Sequence, residues 1–240
     1  MAIALDGHSK VTGGGAGPHT LNHNCGGVQR LLVVVFSGMR SVETSWSVSG
    51  VTYNGAALTQ LAAAEELGNS RAVRTEVWVL VNPPAGSSYQ VSVSTNVSMM
   101  AYSLAAISLS GVDQTTPTGV TGSDAGNKNS FSVGLTTTVA DAWLIGGAGI
   151  RNGTLSWTPG SGVSEIYEQA SGASTTDDLV GCGDYRVCTG AGSYALDATA
   201  SGSNRGVMAA VEVKPAAAAA APAAWFGAEL VLPGSGVWAF

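Results

Sequence analysis

The chain has 240 residues, 45% hydrophobic and only 11% charged, with ten basic and sixteen acidic side chains giving a net charge of −6. The basic residues are scattered and form no cluster able to track a phosphate backbone, which argues against a nucleic-acid partner. No apolar run approaches the roughly 20 residues of a membrane-spanning helix. Charge well below the roughly 25% of an average soluble domain, with 33 glycines, fits a protein packed among neighbours; it fits an extracellular β protein equally.

Along the chain the periodicity is that of strands. At the N-terminus Asp6 and Gly7 stand where a secretion signal would have its apolar stretch, so no signal peptide is expected. Gly13 to Gly17 is glycine-rich but precedes no helix and lacks the lysine of a phosphate loop. Leu31 to Phe36, Val77 to Val81 and Trp143 to Ile145 are apolar throughout and read as inner strands covered on both faces. Asn54-Gly55, between Val51-Thr52-Tyr53 and Ala56 to Leu61, predicts a type I′ hairpin turn. Ala62 to Leu67 has the composition for one helical turn, although the residues before it look extended. Asn82 to Gly86 holds two prolines and must be a loop. Tyr89 to Ser94, Ser130 to Leu135 and Val207 to Lys214 alternate apolar with polar, the pattern of strands with one covered face. Asp113 to Asn129, rich in Thr, Gly, Ser and Asp, is expected to be a long loop. Roughly a dozen strands spaced by turn residues predict an all-β sandwich or barrel.

Beyond Lys214 the alternation ends. Pro215 to Ala224 is an Ala/Pro stretch, too short between its prolines to hold a helix and read as a semi-rigid linker. Residues 225–240 follow, with two of the six tryptophans and two of the four phenylalanines. Such a segment in water is an aggregation hazard, so it is expected to be buried, either as a last strand on its own domain or on a neighbouring subunit. In the second case the contact residues are Trp225, Phe226, Leu230, Val231, Leu232, Val237, Trp238 and Phe240.

The phrases Gln29 to Val34, Val51-Thr52-Tyr53-Asn54-Gly55-Ala56-Ala57-Leu58-Thr59, Trp78-Val79-Leu80-Val81-Asn82-Pro83-Pro84-Ala85-Gly86 and Ser110-Gly111-Val112-Asp113-Gln114-Thr115-Thr116-Pro117 occur in this order. Together they resemble a family of Gly/Ala/Ser-rich, jelly-roll-like β-sandwich domains found in tailed-phage particle proteins and bacterial surface proteins. The resemblance covers about residues 1–214. It implies a role as capsid decoration, tail-fibre module or carbohydrate-binding module, and it carries no catalytic motif. Each quoted phrase also has a plain structural reading as turn, rigid loop or corner.

Candidate chemistry is thin. His19 and His23 are four apart, but Pro18 and nearby glycines oppose a helix, and on a strand they would share a face about 13 Å apart, too far for one metal. No Gly-x-Ser-x-Gly elbow marks a nucleophile. The carboxylate pairs are Glu65 with Glu66, Asp177 with Asp178, and Glu165 with Glu168; neighbours on a strand point to opposite faces, so the first two do not converge. Calcium held by Asp124, Asn127 and Asn129 competes with the reading of a solvated loop. Cys25, Cys182 and Cys188 are an odd number, against a disulfide framework, although Cys182 and Cys188 are close enough to face each other across a hairpin. Trp78 and Trp143 lie in apolar runs and are expected in the core, whereas Trp157 and Tyr167 are the candidates for a sugar contact.

The expectation is therefore an all-β, jelly-roll-like antiparallel sandwich over 1–214, a linker over 215–224 and an apolar C-terminal arm over 225–240. The expected function is non-enzymatic and needs no cofactor or metal: a tailed-phage virion protein, made in the host cytoplasm. Within the virion it is expected to be a capsid decoration (cement) protein forming a trimer and binding a major capsid protein. A carbohydrate-binding or adhesin module of a tail fibre or cell surface is the alternative.

Overall fold

The computed structural model describes residues 2–172 and 175–217. They form fifteen strands and, among the described residues, no helix. The first half contains β1 (Ala4–Gly15), β2 (His19–His23), β3 (Leu31–Arg40), β4 (Val48–Tyr53), β5 (Ala56–Ala57), β6 (Thr59–Gly68), β7 (Arg71–Val81), β8 (Tyr89–Thr95) and β9 (Met99–Ser110). The second contains β10 (Thr118–Thr137), β11 (Ala142–Arg151), β12 (Trp157–Pro159), β13 (Ser164–Ala170), β14 (Leu179–Cys188) and β15 (Gly192–Val213). All pairs are antiparallel.

The two halves repeat one plan. In the first, a five-stranded sheet ordered β1-β9-β3-β7-β6 faces a smaller sheet ordered β2-β8-β4-β5. In the second, β10-β15-β11-β14-β13 form the large sheet. The smaller sheet comes from the far end of the same β10–β15 ribbon. Residues 118–128 of β10 pair with 204–213 of β15 in the large sheet, while 130–137 pair with 192–199 beyond a register shift at Lys128/Ser130. This far end, with β12 paired to Ala198–Ala200, lies back over the large sheet and buries Phe131, Val133, Leu135 and Leu196 against Leu144, Ile150, Val180 and Met208. Thus β10 and β15 each do the work of two strands of the first half. The expected sandwich is present, as two sandwiches rather than one.

The large sheets of the two halves pack face to face, with β1 across from β13, β6 across from β10 and β15, and β3 across from β11. First and last strands exchange roles across the junction, as they do across a two-fold axis. One shared core results, holding Val33, Val35, Val77, Ile107, Ile145 and Val211. Glycines bring the layers close. A Cβ on Gly147 would stand 2.6 Å from Val35 Cγ1, and one on Gly181 would stand 2.6 Å from the Ser103 Cβ. Cores at crystal-like density tolerate no such addition without movement. Arg71 on Asp177 (2.8 Å) and Arg205 on Glu66 (3.1 Å) tie the halves at the rim.

Several sequence expectations hold. Asn54 (φ 50°) and Gly55 (φ 79°) are both left-handed, as the type I′ turn requires. Three differ. Residues 118–128 are strand, not part of a loop over 113–129, because the ribbon's backbone ladder sets their conformation although Val120 and Ala125 are their only apolar side chains. Ala62 to Leu67 lies in β6, where pairing with β7 overrides the local helical preference. The body also reaches past Lys214: Pro215 bridges to Val112, and the buried Ala216 donates its N–H to the Gly111 carbonyl at 2.8 Å.

Candidate functional site

The buried ionisable groups come first, since in a low-charge protein each must have a reason to be inside. Glu76, fully buried on β7, accepts hydrogen bonds from the Val48 N–H (3.1 Å), Gln60 Nε2 (2.7 Å), Trp78 Nε1 (2.9 Å) and Arg74 Nε. Glu212, fully buried on β15, accepts from the Thr138 N–H (2.7 Å) and hydroxyl and from the Val120 N–H (3.2 Å). Both carboxylates close strand ends and loops together, and their oxygens are spent on that work.

Asp184 on β14 is different. It is fully buried; Oδ2 receives only the Cys182 thiol, at 3.6 Å, and Oδ1 has no partner. Burial raises its pKa to about 7, with Glu165, Glu168 and Asp197 pushing the same way. The same burial drives the Cys182 thiol and the Tyr167 phenol well above their usual ranges. All three cysteines are free and buried, so Cys182 and Cys188 are not bonded to each other.

His19 and His23 lie on the inner face of β2. The His19 ring lies 4.2 Å from the Tyr102 ring, tilted by 44°, and His23 Nδ1 is 3.0 Å from the Ser9 hydroxyl. Burial lowers the His23 pKa to about 4, keeping it neutral at ordinary pH. The carboxylate pairs go to separate partners. Glu65 accepts from Ser45 and from the Trp46 N–H, while Glu66 pairs with Arg205. Asp177 pairs with Arg71, whereas Asp178 accepts from Thr175. Glu168 accepts the Trp157 N–H at 2.6 Å, and Glu165 is exposed. Asp124 is held by Lys128 and by the Ser132 N–H, which accounts for its depressed pKa against the effect of burial.

Trp157 and Tyr167, the residues expected to contact a sugar, are both buried. Trp157 is 5% exposed, edge-on to Phe131 with its indole N–H on the Val180 carbonyl. Tyr167 is 2% exposed in the shared core, its ring against Gly183. The alternation about these residues turned both inward, so neither presents a face to a ligand. The expected partner contacts Trp225, Phe226, Leu230, Val231, Leu232, Val237, Trp238 and Phe240, with the linker from residue 218 onward, lie outside the described residues.

Two surface clefts stand out among the described residues. One, of about 550 Å³, lies beside the last described residues, between Asp113, Thr116, Val139, Asp141 and Lys214. The other, of about 590 Å³, lies in the second half, and Arg186 is its one charged lining residue. There the Arg186 guanidinium sits 5.4 Å over the Tyr194 ring and donates to the Ala195 carbonyl at 3.1 Å. Tyr194 Oη accepts the Gly190 N–H (3.2 Å), and the Thr136 and Ser193 hydroxyls are 3.2 Å apart. The sequence reading passed over Arg186. The available signal was its parity: it shares a face of β14 with buried Cys182, Asp184 and Cys188, an odd place for an arginine.

The chain matches no protein-family model and no curated protein.

Proposed function

We propose that the chain is a non-enzymatic structural protein of a tailed-phage particle, a decoration subunit that assembles with copies of itself and with a shell protein. Support comes from the strand order of the first half. With β1-β9-β3-β7 on one side and β2-β8-β4-β5 on the other, that order is compatible with a jelly roll, an architecture shared by viral capsid and lectin domains. Fold by itself does not select among such roles.

The observation that carries the reading is the sequence that follows the body. Among the described residues the body runs to Ala216, which is buried and bonded to Gly111. The aromatic sequence from Trp225 to Phe240 follows, and the reading assigns its apolar side chains to a contact with a neighbouring subunit. Closed rotational symmetry is the usual outcome for such subunits, and a trimer suits a three-fold site on a shell.

Sedimentation of the full chain beside a truncation ending at Ala217 tests this. Retaining Pro215 and Ala216 keeps their contacts with Gly111 and Val112. A full-length trimer and a folded monomeric truncation are expected. Two folded monomers would remove self-assembly through 225–240, and trimers in both cases would move the contact onto the sandwiches.

A further inference from the structure

The second-half cleft has a composition that the assembly role leaves unused. Arg186 is half-buried, on the inward face of β14, yet takes part in none of the ion pairs of the described residues. Five of the chain's other basic residues do: Arg71, Arg74, Lys128, Arg151 and Arg205. Its one described hydrogen bond, to the Ala195 carbonyl, and its seat on Tyr194 hold the guanidinium in a set plane. A guanidinium has five N–H donors in a rigid fork that fits a carboxylate in two-point fashion.

The surroundings narrow the ligand. Thr136 and Ser193 offer a pair of hydroxyls that both donate and accept. Tyr194 supplies an aromatic edge to the wall, and Leu135, 7% exposed, an apolar element of the lining. Gly134 adds no bulk: a Cβ there would meet nothing within 4 Å. No acidic side chain lines the cleft. A fixed cation, hydroxyl partners and an apolar–aromatic wall match a ring that carries a carboxylate, several hydroxyls and C–H faces. A cleft of about 590 Å³ falls within the usual range for small-ligand sites.

We infer that the cleft formed by Arg186, Tyr194, Thr136 and Ser193 is a binding site for a carboxylate-bearing sugar, a uronic or sialic acid residue of a glycan. Arg186 takes the carboxylate with two parallel N–H bonds, Thr136 and Ser193 take ring hydroxyls, and Tyr194 holds the guanidinium flat while packing on the sugar's C–H face. The inference is independent of residues 225–240 and stands whether or not the protein assembles through them.

The test is titration of the full-length, isotope-labelled protein with glucuronic acid and with N-acetylneuraminic acid, followed by amide shifts. Glucose, lactose and acetate serve as comparisons. Saturable shifts centred on residues 134–136, 186 and 193–195 are expected with at least one acidic sugar. Glucose, lactose and acetate should each bind roughly tenfold or more weakly. Arg186→Lys keeps the charge but loses the fork, and should weaken the acidic sugar by roughly tenfold. Thr136→Val should weaken it while leaving acetate unchanged. No saturable shift with either acidic sugar overturns the site. Equal binding of glucose overturns the role of the carboxylate, and equal binding of acetate overturns the sugar. Should Arg186→Lys fail to fold, the ranking of ligands on the wild-type protein decides alone.

Discussion

Replacing Asp184 by asparagine is expected to stabilise the protein, and more so at pH 8 than at pH 5. In the folded protein the carboxyl is fully buried, with one oxygen unpartnered, and its pKa stands near 7 instead of 3.8. The unfolded chain releases the proton first as pH rises. Between about 3.8 and 7 the folded state therefore binds more protons, and stability falls with pH across that window until the loss is complete above 7. Three pKa units correspond to about 4 kcal/mol in all. Roughly 1.5 kcal/mol of this is already lost at pH 5, leaving about 2 to 3 kcal/mol between pH 5 and pH 8. Asparagine is nearly isosteric and does not ionise, so the variant lacks this slope. Urea unfolding of wild type and Asp184→Asn at the two pH values measures it directly. A stability difference between the proteins that is the same at pH 5 and pH 8 would refute the reasoning, because no ionisation would then be linked to folding at this site.

His23 should behave in the opposite sense. With its folded pKa lowered to about 4, the unfolded state takes up the proton first as pH falls below 6.5. Stability is then lost progressively between 6.5 and 4, by up to about 3 kcal/mol; a ring that titrates near 6.5 in a nuclear magnetic resonance experiment on the folded protein would contradict this. Gly147→Ala places a methyl group 2.6 Å from both Val35 Cγ1 and the Cys182 carbonyl oxygen in the shared core. Thermal or urea unfolding should show a loss of about 1 to 3 kcal/mol, and an unchanged midpoint would mean that the two large sheets are not so closely packed.

The strand class was legible because the inner faces are filled by valine, leucine and isoleucine at alternate positions, as in β8, or continuously, as in β3. What was hidden is instructive. Residues 118–128 carry Thr, Gly, Ser and Asp and so look like a loop, yet a long ladder with β15 holds them extended. Backbone pairing leaves no mark in side-chain periodicity. The second sandwich was equally hard to see, since its repeat of the first is one of strand order. In the first half Val35 and Val77 supply the bulk of the shared core, and in the second Gly147, Gly149, Gly181 and Gly183 supply the space. Those glycines, two apart on apolar strands, were the readable sign of a close neighbour. The burial of Trp157 and Tyr167 was not legible, because it depends on the small sheet and the other half that cover them.

The role-exchanging junction between the halves has a consequence for how the protein meets dilution. Two separate subunits joined by such a face would come apart once their concentration fell below a dissociation constant. Here the mate is part of the same chain, delivered by the short stretch between β9 and β10, so its effective concentration is fixed by covalent connection. The pair persists in a single molecule however few copies are present. Because the mates are encoded separately, one can also keep the shared face while the other acquires a feature of its own, as the second half has with Arg186.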